Sequence, residues 1–160
     1  MELVRIALAD VGVQEQGDND GPEVRSYLRS VGLGPGYKWC GAWLHSVYRR
    51  GGIVLEPARS FALAATWSKE HVVFRKGELD AFDESNVSGI ERISEDADVF
   101  TLHYASLKRV GHVGMVIGED DDAFITVEGN TGPGGEREGQ GVYKRMRDKE
   151  IIWTLNRWVP

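Results

Sequence analysis

The sequence predicts an α+β fold in which helices come first and an antiparallel sheet follows. Apolar residues recur at helical spacing through the first third of the chain. From residue 98 onward the pattern changes to short strand-like runs separated by turn-rich pieces. The 160 residues suit a single domain with its own core, and no repeat or linker divides them. Helices followed by a run of strands are typical of the α+β class.

The composition limits the classes of function. A net charge of −6 argues against a protein that binds nucleic acid by general electrostatic attraction. The single cysteine excludes an internal disulfide, and no apolar run reaches the length that spans a bilayer. The first six residues lack a basic leader followed by an apolar stretch, so we expect no secretory signal and synthesis in the cytoplasm.

Two helices are predicted before the cysteine. The first covers residues 2–11, and the second opens with Pro22 at the favoured first helical position. The polar turn between them contains Asp18, Asn19 and Asp20, whose oxygens could bind Ca²⁺. The residues that follow do not continue an EF-hand loop, so we favour a polar turn with a helix cap.

The third helix carries the only cysteine at its start. Residues 32–36 are rich in glycine and proline and cannot be helical, so this helix begins close to Cys40 and ends at Gly51 and Gly52. A thiol at a helix N-terminus meets the positive end of the macrodipole and unpaired N–H groups, which favour the nucleophilic thiolate. Taken by itself, Cys40 fits a small buried core residue better than a nucleophile, and the rest of the chain has to decide between the two.

Five strands are predicted in the last part of the chain. We expect residues 60–67 to form a short helix before them, and the acidic, weakly patterned residues 76–98 to form a long connection. The strands cover residues 99–104, 112–118, 123–130, 141–147 and 151–158. An acidic turn at residues 119–122 joins the second and third strands as an antiparallel hairpin, which gives a sheet of about five strands.

This hairpin has an apolar face and a polar face. Because side chains alternate along a strand, His112 lies opposite the apolar set, and Glu128 and Asn130 share one face of the neighbouring strand. If the cysteine helix packs on the polar face, Cys40 meets His112, with Glu128 or Asn130 behind the imidazole. The prediction is a site made from distant parts of the chain.

Nucleophilic catalysis by a thiol requires this order of groups. An imidazole beside Cys40 takes the thiol proton and later protonates the leaving amine. A third polar group on the far ring nitrogen fixes the tautomer and the orientation of the ring. We therefore expect Cys40 as the nucleophile, His112 as the base, and Glu128 or Asn130 as the orienting group.

Three short blocks occur in a specific order along the chain. They are residues 39–43 (Trp-Cys-Gly-Ala-Trp), residues 111–117 (Gly-His-Val-Gly-Met-Val-Ile) and residues 127–131 (Val-Glu-Gly-Asn-Thr). Together they resemble the CHAP family, the cysteine, histidine-dependent amidohydrolases/peptidases. The resemblance extends upstream to residues 6–24 and downstream to residues 141–143, and it leaves out roughly residues 68 to 97.

The resemblance implies a papain-like fold, related to the NlpC-type cell-wall hydrolases, in one domain over residues 1–160. It implies a catalytic thiol at Cys40, a base at His112, and Glu128 and Asn130 as orienting residues. The activity would be an N-acetylmuramoyl-L-alanine amidase or a peptide endopeptidase, without a cofactor. The oxyanion hole would use the Cys40 backbone N–H, with Tyr37 as a candidate second donor.

The same resemblance implies a bacterial or phage enzyme whose partner is peptidoglycan or its stem peptides. Such an enzyme, without a signal, would act on the cell wall after release or delivery, with an immunity protein or a delivery system as a further partner. We expect a monomer that binds no nucleic acid. A phage lysin, a delivered toxin and a housekeeping enzyme all fit the sequence.

Other interpretations stay open at this point. A thiol amidase or peptidase with a non-wall substrate, or a catalytically silent wall-binding domain, would show the same blocks. A metal site at Cys40 lacks paired ligand spacing. We expect His45 and His71 to be solvated or structural histidines, and His103 is the rival base. The basic residues near the C-terminus are expected to form a solvated strand face: Lys144, Arg145, Arg147 and Lys149.

Overall fold

The computed structural model describes residues 2–77, 97–134 and 136–159, and it confirms the α+β class. In these parts of the chain three α-helices precede most of the sheet: α1 (Glu2–Ala9), α2 (Pro22–Ser30) and α3 (Cys40–Arg50). The strands are β1 (Val72–Arg75), β2 (Val99–Tyr104), β3 (Arg109–Glu119), β4 (Ala123–Thr131), β5 (Gly141–Asp148) and β6 (Thr154–Asn156). No helix in the described ranges is both long and apolar enough to cross a membrane.

The six described strands form one antiparallel sheet in the order β1-β6-β2-β3-β4-β5. The predicted hairpin is present as β3 and β4, with Met115 opposite Val127. The sheet has one strand more than expected, because the short β1 pairs with β6 at its edge. The predicted strand at 151–158 is shorter, since a 3₁₀ turn (Lys149–Ile151) precedes β6.

Two further expectations concern the middle of the chain. The short helix predicted at residues 60–67 is confirmed only in part, because the segment forms two separate 3₁₀ helices, Ala58–Ala62 and Ala64–Ser68. Leu63 separates them in an extended conformation (φ −89°, ψ 125°), which interrupts the helical path. The long connection expected at residues 76–98 lies largely outside the described residues.

Helix α3 packs against the apolar face of the hairpin. Trp43, Leu44 and Val47 share one buried core with Val113, Met115 and Val127 from β3 and β4. The expectation that the cysteine helix packs on the His112 face is therefore wrong. The physical reason is that nine successive residues of α3, Cys40 to Tyr48, are buried and most of them are apolar. A helix with such a wide apolar surface packs on an apolar face and not on a polar one.

The opposite face of the sheet is also buried. It carries a second apolar cluster, formed by Phe100, Leu102, Val116, Phe124, Ile152 and Leu155. Gly114 lies on this face, because a Cβ there would approach Phe100 and the Glu128 Cγ within 3 Å. His112 and Glu128 are thus placed among apolar neighbours instead of on a polar surface, and both are fully buried.

Gly129 allows the close approach between α3 and β4. A Cβ at this position would lie 2.7 Å from Trp43 Cγ and 2.9 Å from a ring carbon of Trp39, both closer than a carbon–carbon contact allows. A glycine between Glu128 and Asn130 therefore lets the start of the cysteine helix lie directly over the strand.

Candidate active site

The cysteine stands at the predicted place, the first residue of α3. Cys40 is 7% exposed, and the residue before it, Trp39, is the N-cap, without a side-chain cap of its own. The first helical turn contains no acidic side chain, so the positive end of the helix dipole is not neutralised locally. This environment favours a negative charge on the thiol.

Asn130 holds the backbone that leads into Cys40. Its Oδ1 accepts a hydrogen bond from the Trp39 N–H at 3.0 Å, and its Nδ2 donates to the Gly139 carbonyl at 2.8 Å. The residue has a φ of 57°, a conformation that asparagine tolerates better than most residues. Within the described residues no hydrogen bond joins Asn130 to His112. Its geometry therefore fits positioning of the helix start, not orientation of the imidazole.

Glu15 completes this positioning network, a role that the sequence analysis did not predict. The Trp39 indole Nε1 donates to Glu15 Oε1 at 2.7 Å, and the Asn19 N–H donates to Glu15 Oε2 at 3.1 Å. The polar turn after α1 thus serves to fix the residue before the cysteine. Asp20, considered above as a Ca²⁺ ligand, instead pairs with Arg25 at 2.6 Å.

Of the two orienting candidates, Glu128 is the one that contacts the imidazole. Glu128 Oε2 lies 2.7 Å from His112 Nε2, and both side chains have no solvent exposure. The other carboxylate oxygen accepts a hydrogen bond from the Thr126 hydroxyl at 2.7 Å. These bonds fix the ring of His112 and select Nε2 as the nitrogen that faces the carboxylate.

Arg147 is a functional neighbour that the sequence interpretation placed wrongly on a solvated face. Its Nε donates to Glu128 Oε1 at 2.8 Å, and its Nη2 donates to Glu128 Oε2 at 2.6 Å. Arg147 is only 7% exposed, because it lies opposite Phe124 on the buried face of the sheet. The β4–β5 register, which no local sequence pattern specifies, brings this pair together.

The thiol and the imidazole act on each other electrostatically. His112 Nδ1, the nitrogen that Glu128 leaves free, is buried and has no partner of conventional hydrogen-bond geometry, and the Cys40 thiol lies within interaction range of the ring. Burial is the largest influence on the pKa of Cys40 and raises it. His112 and the N–H groups of Gly41 and Val113 outweigh burial, so the thiol pKa is lowered overall.

The other two site groups shift in the complementary directions. Burial lowers the pKa of His112, but its interactions with Cys40 and Glu128 raise it to about 9. Burial raises the pKa of Glu128, but hydrogen bonds from Arg147 and His112 lower it to about 2. The arrangement therefore favours a thiolate, an imidazolium and a carboxylate side by side near neutral pH.

The remaining histidines lie elsewhere. His45 is buried and structural, with its Nδ1 3.0 Å from the Ser30 hydroxyl. His71 packs its ring on Trp158, and His103, the rival base, packs its ring on Trp153 with no described contact to Cys40. In the described part of the chain, no three His, Cys, Asp or Glu side chains cluster as a metal site requires.

A pocket of about 220 Å³ opens onto the thiol. It is lined by Leu33, Tyr37, Lys38, Cys40, Ala62, Leu63, Ala64, Arg109, Gly111 and Arg137. Larger pockets of about 370 and 310 Å³ lie beside His45 and beside Trp158, and neither is lined by Cys40, His112 or Glu128. We take the pocket at Cys40 as the candidate site, because it alone of these three combines a cavity with a polarised nucleophile.

Comparison of the chain with protein-family models, with curated proteins and with solved structures gave no match.

Proposed function

We propose that this protein is a papain-like cysteine hydrolase of the CHAP type that cleaves an amide bond in peptidoglycan. The observation that carries the proposal is the series Cys40, His112 and Glu128, in which the buried carboxylate contacts one side of the imidazole at 2.7 Å. The thiol interacts with the same ring and stands at a helix N-terminus. These are the relations that activate a thiol nucleophile.

The reaction has two halves. The Cys40 thiolate attacks the carbonyl carbon of the scissile amide, and the C–N bond breaks as the His112 imidazolium gives its proton to the leaving nitrogen. A thioester remains on the cysteine. His112, now neutral, takes a proton from water as that water attacks the thioester, and the acid product leaves while the thiolate–imidazolium pair forms again.

Glu128 acts throughout as a carboxylate. Arg147 and Thr126 hold its two oxygens, and its lowered pKa keeps it ionised at neutral pH. An ionised carboxylate on Nε2 stabilises the imidazolium and fixes the tautomer of the neutral ring without accepting the proton. The assignment of Glu128 as the orienting residue, with Asn130 as a positioning residue for Trp39, follows from these contacts.

The start of α3 also suits the charge that develops on the substrate oxygen. The backbone N–H of Cys40 belongs to the unpaired group at the helix N-terminus, where a negative charge is favoured. Tyr37 is exposed and lines the same pocket, which supports it as the candidate second donor. The pocket can thus accommodate a carbonyl next to the thiol.

The choice of peptidoglycan rests on the three sequence blocks and their CHAP-like order. We propose the same stem-peptide and amide-bond substrates, and the same release or delivery to the wall, that the resemblance implies. An immunity protein or a delivery system would then be a natural partner.

The proposal is tested by digestion of purified peptidoglycan with the wild type and Cys40→Ala. We expect loss of turbidity and soluble fragments from the wild type and no more than the buffer rate from Cys40→Ala, whose fold is checked by circular dichroism. Fragment masses would identify the bond. Equal activity of both proteins would exclude Cys40 as the nucleophile. Inactivity of both, with retained binding to sedimented wall, would favour a silent wall-binding domain.

A further inference from the structure

The pocket at Cys40 is basic, although the protein is acidic. Three of its lining side chains are cations, Lys38, Arg109 and Arg137, in a chain whose net charge is −6. They come from three separate segments, the turn before α3, the start of β3 and the loop before β5. Cations gathered around a cavity raise the local concentration of anions and favour anionic ligands.

A carboxylate already occupies part of this basic surface. Glu138 Oε2 lies 2.7 Å from Lys38 Nζ, and Arg137 donates a hydrogen bond to Glu138 Oε1. Lys38 and Glu138 are exposed and Arg137 is partly exposed, so these contacts are screened by water and contribute little to stability. An incoming carboxylate could therefore displace Glu138 with only a small loss of free energy.

Arg109 offers a further guanidinium to the same pocket. It is exposed and stands three residues before His112 on β3. Its described hydrogen bond goes to the neighbouring Val110 carbonyl at 3.3 Å, and no described ion pair joins it to a carboxylate. A guanidinium presents two parallel N–H groups that match a carboxylate, so it recognises this group better than a point charge does.

We infer that the Cys40 pocket selects substrates that carry a carboxylate close to the scissile amide bond, an inference that rests on the proposed hydrolase function. Arg109, Lys38 and Arg137 bind that carboxylate. When no substrate is present, the Glu138 carboxylate lies between Lys38 and Arg137 in its place. The substrate class is an acidic peptide, and the three cations act as specificity residues beside the catalytic groups.

The inference is tested by alkylation of Cys40 with iodoacetate and with iodoacetamide. Both reagents react with the same thiolate, so the ratio of their rate constants cancels the degree of ionisation and reports the charge around the thiol. We expect this ratio to exceed that of a small neutral model thiol by about fivefold, the effect of one contact charge pair in water.

Four variants separate the contributions. Arg109→Gln and Lys38→Gln should lower the ratio toward that of the model thiol, and Glu138→Gln should raise it above the wild-type value. Lys144→Gln is the matched control, because Lys144 is an exposed cation on β5 that does not line the pocket. A wild-type ratio equal to that of the model thiol, or equal changes in Arg109→Gln and Lys144→Gln, would overturn the inference.

The same experiment keeps the two proposals apart. The absolute rate with iodoacetamide reports whether Cys40 is activated, whereas the ratio reports whether the pocket prefers anions. Fast alkylation without preference for iodoacetate would overturn the carboxylate site and leave the hydrolase standing. Slow alkylation with a strong preference would support the carboxylate site and count against the activated thiol.

Discussion

Arg147 and Glu128 form a bidentate ion pair in the buried face of the sheet, with N–O distances of 2.8 and 2.6 Å. The oxygen that accepts the shorter bond also contacts His112 Nε2. One carboxylate oxygen therefore joins a permanent cation to the imidazole. The pair explains how a fully buried glutamate stays ionised, and why it can stabilise an imidazolium instead of accepting its proton.

Removal of the guanidinium should destabilise the protein strongly. In Arg147→Gln the Glu128 carboxylate stays buried without its cation, and breaking one partner of a buried pair typically costs about 3–5 kcal/mol. Urea unfolding at pH 7 measures this loss. Arg5→Gln removes an exposed pair with Glu2 and should leave the midpoint nearly unchanged. Similar midpoints for the two variants would contradict the assigned role of Arg147.

The ionised state of Glu128 should appear in acid stability. Because its pKa is about 2 in the folded protein and near 4.5 ordinarily, its stabilising effect is present above pH 4.5 and is lost as the pH falls toward 2. The free energy of unfolding of the wild type, relative to Glu128→Gln, should therefore decrease by about 3 kcal/mol over that range. The measurement is urea unfolding at pH 6, 4.5, 3 and 2. A pH-independent difference would refute the lowered pKa.

Asn130 should matter for stability more than for the ionisation of the thiol. Asn130→Gly keeps the backbone conformation accessible but removes the bonds to Trp39 and Gly139, which costs about 1–3 kcal/mol for each buried group left unpaired. The pH midpoint of Cys40 alkylation should move less than in Glu128→Gln. If both variants shift that midpoint equally, Asn130 also orients the imidazole.

The contact between α3 and β4 should not tolerate a methyl group. Gly129→Ala places a Cβ 2.7 Å from Trp43, and overpacking of this kind typically costs about 1–3 kcal/mol. Gly118→Ala is the matched control on the neighbouring strand, because its Cβ would meet nothing closer than 3.7 Å. Thermal unfolding of both variants gives the comparison, and equal melting temperatures would show that the two elements are not in close contact.

Local signals were sufficient to predict the cysteine helix and the hairpin. Glycine and proline before Cys40, with Gly51 and Gly52 after the apolar run, define the helix without any tertiary contact. The acidic turn between β3 and β4 similarly defines the hairpin, and with it the neighbourhood of His112 and Glu128. These features depend on residues close together in sequence.

The parts that were missed depend on distant contacts. Arg147 reaches Glu128 through the β4–β5 register, across a loop that no local pattern specifies. Glu15 meets Trp39 from 24 residues away, and the four-residue strand β1 pairs with β6 near the end of the chain. The face of the hairpin that α3 covers likewise depends on where the bulky apolar side chains of the helix fit. The alternation of apolar and polar residues along a strand does not predict this.

The most direct test of the account is the pH dependence of Cys40 alkylation by iodoacetamide in the wild type and in His112→Gln. Because the imidazolium stabilises the thiolate, the alkylation midpoint of the wild type should lie below pH 8.5, the ordinary midpoint of a free thiol. The midpoint should move up in His112→Gln, in which burial is no longer offset by the imidazole. A wild-type midpoint near 8.5, unchanged in His112→Gln, would contradict the thiolate–imidazolium pair.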